Sequence, residues 1–484
     1  MQGATGPTES ARGNVAWARS ARPVTGAERT GRLLEVRSIP GGLRSYVSTG
    51  SAAATQQTAV HGQALTRTTG LERLAYGGLL AFIVLLYLNI GVVVPALAPL
   101  QITKLVAFVA LAALVMGRVA RGAGLRLDAP QTILVFGLLL LAACSVYGAL
   151  WPGLALKSLM DFAKMAAVYL LIVHVVDRPE RFRRVAGTII VCSLVPAMAT
   201  LWRAALGIDL VDGNRAAWVG LFEDPNELAY SLVILVPLTM TLFDTTRSRR
   251  ARVGFAIAAV IQAAAVVATQ SRGGVLGLVV VLGLLLWSYR IRGGVLAIVA
   301  LVAVIGFAFA ADTFWQRVEV VATYQQDDAI TSRIQAWRVG LDIFMNRPML
   351  GVGIGNFSLA WPLYADSPGG KWLTAHNAFI QILGELGFMG LIGFAALLAV
   401  TLIGLRRARR QANRAGDRET ESFAKGLGIA LWGYASCAML LSVAFNWFLY
   451  LIVALSVAVI GMARTETEDA PTSVPESGRV RSWG

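Results

Sequence analysis

His376 is one of three histidines in a chain of 484 residues. It sits in a polar stretch, Arg333 to Leu391, lodged between strongly apolar runs. Histidine is the side chain that changes charge near neutral pH, so an imidazole placed there is suited to proton transfer. Two isolated arginines share its setting. Arg215 follows Asn214, and Arg272 lies in Gln270-Ser271-Arg272-Gly273-Gly274. A guanidinium offers a planar fork of donors that matches a phosphate or diphosphate, and the glycines let the backbone approach a ligand. Two cations to hold an anion and one base to take a proton suit chemistry on a phosphorylated substrate. Each residue also has a plainer reading. A histidine beside an apolar run is commonly structural, and Arg272 could snorkel to lipid headgroups. Asp224-Pro225-Asn226 is explained by a loop entering a helix, with Asp224 as N-cap and Pro225 in the first turn. That reading leaves Arg215 unexplained.

These residues must be positioned by helices in a membrane. The chain is 56% hydrophobic and 15% charged, with a mean hydropathy of +0.63, whereas soluble chains carry about 25% charged residues. Apolar runs fall at 74–97, 100–117, 130–150, 159–177, 184–206, 226–243, 253–269, 274–289, 294–311, 378–404, 424–444 and 447–463. Several approach the roughly 20 residues that span a bilayer as a helix. The expectation is an all-α polytopic protein of about twelve spans, with a large loop at 312–377 between spans 9 and 10. Residues 1–70 and 464–484 read as disordered tails, and no cleavable signal peptide is visible at the start. The net charge of +15 is not that of a nucleic-acid binder, because the arginines cluster in short loops between apolar runs. Such clusters at 118–126, 178–184, 247–252, 290–292 and 406–414 mark the cytoplasmic side. Both termini then lie in the cytoplasm, and the loops near 207–225, 270–273 and 312–377 face the opposite side. Positive charge is selected against on that outer face, so Arg215, Arg272, Arg317, Arg333, Arg338, Arg347 and Lys371 each need a reason to be there. Cys144, Cys192 and Cys437 have neither metal-ligand nor disulfide spacing.

Further motifs lie on the outer side. Between Thr331 and Asn346, the residues Ile334, Trp337, Leu341, Phe344 and Met345 recur at helical spacing, and Pro348 follows the stop. This predicts an amphipathic helix on the membrane surface or over a cavity, with Trp337 and Trp361 as interfacial anchors. Gly351-Val352-Gly353-Ile354-Gly355 lacks the spacing and the βαβ setting of a dinucleotide loop and reads as a tightly packed bend. Lys157, Asp161 and Lys164 share one helical face at the outer end of the fourth span, either as a self-compensating cluster or as a contact for an anionic lipid head. His174 reads as structural, and His61 lies in the tail. Arg333, Asn226, Asn377, Glu385, Lys157 and Lys164 are the candidate substrate contacts, and His376, Arg272 and Arg215 the candidate catalytic groups.

Arg215, Gly220-Leu221-Phe222, Pro225-Asn226, Ser271-Arg272-Gly273-Gly274, Arg333, Trp337, Gly351-Val352-Gly353 and Ala375-His376-Asn377 with Glu385-Leu386-Gly387 occur in an informative order. In that order and topology the chain, over about 70–463, resembles the O-antigen ligase/polymerase superfamily of bacterial membrane glycosyltransferases. The resemblance implies a helical GT-C-like fold in the bacterial inner membrane, with the active site facing the periplasm. It implies an undecaprenyl diphosphate-linked saccharide donor and an acceptor hydroxyl such as that of lipid A-core, with inversion at the anomeric carbon. By resemblance Arg215 and Arg272 hold the diphosphate, while His376 acts as base or orients the acceptor. No cofactor or metal is expected, with Asp224 and Asp366 left as the carboxylates that would speak for a metal. A polymerase acting on lipid-linked repeats and a protein glycosyltransferase remain alternatives for the acceptor. A lipid-linked saccharide transporter without catalysis is an alternative of another class, although transport sites sit near the bilayer midplane.

Overall fold

A computed structural model describes residues 70–289, 328–365 and 372–468. Outside them lie His61, Arg317, Asp366, Lys371, the apolar run at 294–311, and both expected tails apart from their edges. The described residues are almost wholly helical, with one isolated β-bridge between Val211 and Arg215. The helices are α1 (Gly70–Leu88), α2 (Ile102–Val119), α3 (Pro130–Tyr147), α4 (Pro152–Val175), α5 (Pro179–Leu206), α6 (Pro225–Thr245), α7 (Arg249–Ala268), α8 (Arg272–Tyr289), α9 (Asp328–Asn346), α10 (Ala378–Ala415), α11 (Arg418–Ala438) and α12 (Trp447–Glu468). Among the described residues nine helices are long and apolar enough to cross a membrane, and α8 is a shorter apolar helix. The protein is a polytopic all-α membrane protein.

Proline opens α3, α4, α5 and α6, where its fixed φ and missing N–H cost nothing. Exposed apolar side chains mid-helix, such as Leu105, Phe108, Leu140, Val191 and Val279, form the surface that lipid would cover. The centre of the bundle is α6, with nearly all its side chains buried. It packs against α7, α8 and α11, and this places its N-terminus beside that of α8.

The apolar run at 378–404 folds into a helix that is broken, which its continuous hydrophobicity conceals. Gly387 has φ 69° and ψ −163°, a region open essentially to glycine. The break frees the carbonyls of Gly384 and Glu385, which accept hydrogen bonds from the amides of Val352 (2.9 Å) and Gly353 (3.1 Å). The Phe388 amide turns out to Pro348 O at 2.9 Å. The glycine-rich bend is thereby stitched into α10. Gly351 has φ 60°, and a Cβ there would collide with the Gly384 carbonyl.

The helix α9 forms where the spacing predicts it, and two other expectations need correction. The face of α9 that packs inward is Ala336, Val339 and Ile343, against Val352, Phe357 and Trp361. The larger Leu341 and Met345 point outward at 48% and 75% exposure. Small residues permit the close packing, and Gly340 lies where a side chain would collide with Ile380. Trp361 is buried in this same cluster, so it is a core residue and no interfacial anchor. The fourth span begins at Pro152, which puts Asp161 and Lys164 well inside α4 rather than at its end.

Candidate functional site

The site is built from the start of α6. Asp224 caps this helix by accepting a hydrogen bond from the Asn226 amide at 2.6 Å. Asn226 is then held between two loops. Its Oδ1 accepts from Arg215 Nη2 at 2.8 Å and from Ser271 Oγ at 2.8 Å. Arg215 also donates from Nε to the Thr269 carbonyl at 3.5 Å and lies 3.7 Å from Asp212 Oδ2. Its side chain is 18% exposed. Ser271 Oγ in turn accepts from the Gly274 amide at 3.2 Å, the N-cap pattern for α8. Arg272 is the first residue of α8. A single amide oxygen thus joins the Arg215 loop to the Arg272 turn, at helix ends whose free N–H groups favour an anion.

His376 stands at the start of α10 with φ 46°, a left-handed conformation that costs a non-glycine residue about 1–3 kcal/mol. The surroundings that hold it there are explicit. Its amide donates to Ser442 Oγ at 2.8 Å, and Asn377 caps α10 by accepting from the Phe379 and Ile380 amides at 2.8 and 3.2 Å. Thr374 Oγ1 lies 3.5 Å from His376 Nε2. Partial burial, and then the Arg333 charge, push the imidazole pKa below its ordinary value, while Asp224 acts in the opposite direction. The neutral ring, the form that can accept a proton, is therefore favoured near neutral pH. Asp224 links the two halves, since it caps α6 and bears electrostatically on His376.

The other candidate contacts divide into two groups. Asn377 is 6% exposed with its oxygen committed to the helix end, so its observed contacts are those of a residue positioning His376. Glu385 is 2% exposed, and its Oε2 accepts from the Gly355 amide at 2.9 Å. It borders a cavity of about 450 Å³ with Gln381, Ser158 and Asp161. Asp161 and Trp447 also line a second cavity, a largely apolar groove of about 480 Å³ between α1, α2 and α4. Leu86, Phe108 and Leu171 form part of its walls, and Lys104, Lys164 and Asn89 part of its polar lining. Lys164 pairs with Asp161 at 2.7 Å, as the self-compensating reading expects, yet it also borders the groove. Lys157 is exposed and lines neither cavity. Asn89 donates to the Val219 carbonyl at 3.2 Å, which ties this groove to the loop that carries Arg215. His174 is structural: its Nε2 accepts from the Arg126 amide at 2.8 Å, and Nδ1 lies 2.8 Å from the Leu170 carbonyl.

Several contributors escape a reading of the sequence. Lys104 is masked by the apolar run around it. Ser442, which holds the His376 backbone, is distant in sequence and carries no motif. Arg203 braces the loop before α6 through the Ala217 carbonyl at 3.1 Å and sits over the Trp218 ring. Glu227, next to Asn226, is half-buried and has Asn446 among its polar neighbours. Ser271 was detectable, because a serine three residues before Gly274 at the start of an apolar run fits a helix cap.

Comparisons with known proteins agree on the class. Residues 257–395 match the O-antigen ligase family model, an interval that contains Ser271-Arg272, α9, the glycine bend, His376 and the Gly387 break. The chain is 23% identical over 314 residues to the exopolysaccharide production protein ExoQ of Rhizobium meliloti. That similarity covers 62% of this chain and 70% of the relative.

Proposed function

Since this chain belongs to the O-antigen ligase/polymerase superfamily, a group of multi-pass bacterial membrane enzymes acting on lipid-linked saccharides, we propose that it is an O-antigen ligase-type glycosyltransferase. In this reading it moves a saccharide from undecaprenyl diphosphate to an acceptor hydroxyl, as on lipid A-core, at the periplasmic face. The observation that carries the proposal is the clasp at Asn226, which draws Arg215 and the Ser271-Arg272 turn together, with His376 in electrostatic reach of the Asp224 that caps the same helix.

The chemistry follows from charge. The acceptor oxygen attacks the anomeric carbon as the bond from that carbon to the diphosphate oxygen breaks. The hydroxyl proton passes to neutral His376, and the diphosphate leaves with its developing charge held by Arg215 and Arg272. Attack opposite the leaving group inverts the anomeric configuration. Two guanidiniums fill the role a divalent ion would otherwise play, so the reaction is proposed to need no metal. Burial, and then the Arg333 charge, favour the neutral imidazole, against the opposing influence of Asp224. The apolar groove bordered by Lys104 and Lys164 would take the lipid chain of a substrate, and the adjoining cavity at Glu385 its polar portion.

A polymerase that joins lipid-linked repeats is the second reading. It is favoured by the similarity to a relative whose name concerns exopolysaccharide production. Purified protein incubated with lipid-linked oligosaccharide, with and without lipid A-core, separates them. A lipid A-core conjugate of inverted linkage, formed equally in the presence of a chelator, supports the ligase. Longer lipid-linked chains formed without added acceptor support the polymerase. Movement of intact lipid-linked saccharide across a vesicle without any product would overturn both.

A further inference from the structure

At the end of the bundle opposite Arg215, Arg272 and His376 lies a cavity of about 470 Å³ where α1, α2, α3, α4 and α12 converge. Five arginines and three carboxylates line it. Two of those carboxylates are already engaged, Glu72 with Arg121 and Asp177 with Arg181 at 2.9 Å. Arg118 spends its guanidinium on the neutral carbonyl of Gly124. Among the described residues, neither Arg118 nor Arg126 has a carboxylate within ion-pair distance. Two like charges therefore border one cavity, although both lie beside solvent-exposed loop that could have carried them apart. His174 fixes one of them, since its ring nitrogen accepts the Arg126 amide at 2.8 Å and anchors the α2–α3 loop at this wall.

The rest of the lining is aliphatic. Leu114, Val457 and Ile460 continue the apolar surface of α2 and α12 into the cavity. Around it the loop exposes Leu125 and Leu127 at 39% and 48%, with Val119 at 72%. Arginines beside aliphatic walls, with exposed leucines nearby, fit a ligand that is anionic at one end and apolar at the other. Basic pockets between helices at the cytoplasmic ends of membrane spans suit such lipid heads. We infer that this cavity binds an anionic glycerophospholipid of the leaflet at that end, its phosphodiester on Arg118 and Arg126 and the start of an acyl chain along Leu114 and Ile460. The site is independent of the transfer chemistry and stands or falls apart from it.

The test uses the full-length protein, delipidated in mild detergent. Lipid retention is measured by native mass spectrometry with phosphatidylglycerol, cardiolipin or phosphatidylcholine, and binding of inorganic phosphate is measured in parallel. Phosphatidylglycerol and cardiolipin should be retained and phosphatidylcholine lost. Arg118→Ala with Arg126→Ala should weaken retention about thirty-fold, the effect of removing two near-surface charges. Arg126→Ala alone keeps the backbone bond to His174, so it should fold normally and still lose several-fold, which guards against misfolding of the double variant. Retention unchanged in the Arg126→Ala variant, or equal retention of phosphatidylcholine, would overturn the proposal. So would saturable binding of inorganic phosphate that the lipids fail to displace, because the site would then serve a free anion.

Discussion

Asn226 is the residue whose replacement reports most clearly on how the site is assembled. Its single Oδ1 accepts from Arg215 Nη2 and Ser271 Oγ, both at 2.8 Å. The first is a bond to a charged donor whose side chain is mostly enclosed, worth about 1.5–3 kcal/mol, and the second is a neutral bond worth about 1 kcal/mol. Losing both in Asn226→Ala removes about 2.5–4 kcal/mol of positioning, which is roughly a hundred- to a thousand-fold in rate if it falls on the transition state. Asn226→Asp separates geometry from charge. It keeps an oxygen for both donors, so the fold and the loop–loop clasp should survive, but its negative charge offsets Arg215 and weakens the hold on a diphosphate. The assay is steady-state transfer from lipid-linked saccharide, alongside thermal unfolding in detergent. The Ala variant should lose kcat with a lowered melting temperature. The Asp variant should melt like the parent yet require much more donor for half-maximal rate. A fully active Asn226→Ala protein would refute the idea that the clasp sets the arginine geometry.

Other consequences follow from the same geometry. A step that requires neutral His376 should speed up as pH rises through a midpoint below the ordinary histidine value of about 6.5. Arg333→Ala removes a lowering influence and should move that midpoint to higher pH, whereas Asp224→Asn, which preserves the helix cap, should move it lower; identical profiles for all three proteins would contradict the assignment. Arg272→Lys should be severely impaired in single-turnover transfer, because a point charge does not reproduce a bidentate fork, and full activity would show that charge alone matters. Gly387→Ala forces a side chain into a glycine-only backbone region and against the Pro348 carbonyl. It should cost at least about 1–3 kcal/mol, seen as a lowered melting temperature, and unchanged melting would argue against the broken helix.

How much of this was legible beforehand depends on the range of the interactions involved. Hydrophobic runs and prolines located most helices, since a span must be long and apolar and proline fits its first turn. Asp224 and Pro225 announced the start of α6 because a cap and its helix are adjacent in sequence. What escaped depends on contacts between distant segments. Nothing local reveals that the carbonyls exposed at Gly387 receive amides from residues some thirty positions earlier. The inward face of α9 is not legible in the sequence because Ala336, Val339, Gly340 and Ile343 lie outside the predicted apolar stripe, whereas Leu341 and Met345 of that stripe are exposed. Trp361 was misplaced for a related reason: an aromatic near a membrane boundary suits an interfacial anchor as well as a core, and only the packing partner decides. Lys104 carries no motif, and its sharing of one groove with Lys164 follows from how α2 and α4 pack. Among the candidate site residues, the Asn226 clasp unites groups the sequence had only placed on one side. Glu385 and Asn377 turn out to be tied to the backbone that supports the site.

The central claim is that Arg215, Arg272 and His376 form one centre for saccharide transfer from a lipid diphosphate. It is tested most directly by a single-turnover reaction of the purified protein with radiolabelled lipid-linked saccharide and excess acceptor, counting glycosylated acceptor against released undecaprenyl diphosphate. The parent should yield the two in equal amounts, and His376→Ala should yield neither while still binding the donor. Product formation by His376→Ala at the parent rate, or loss of donor without a matching glycosylated acceptor, would contradict the account.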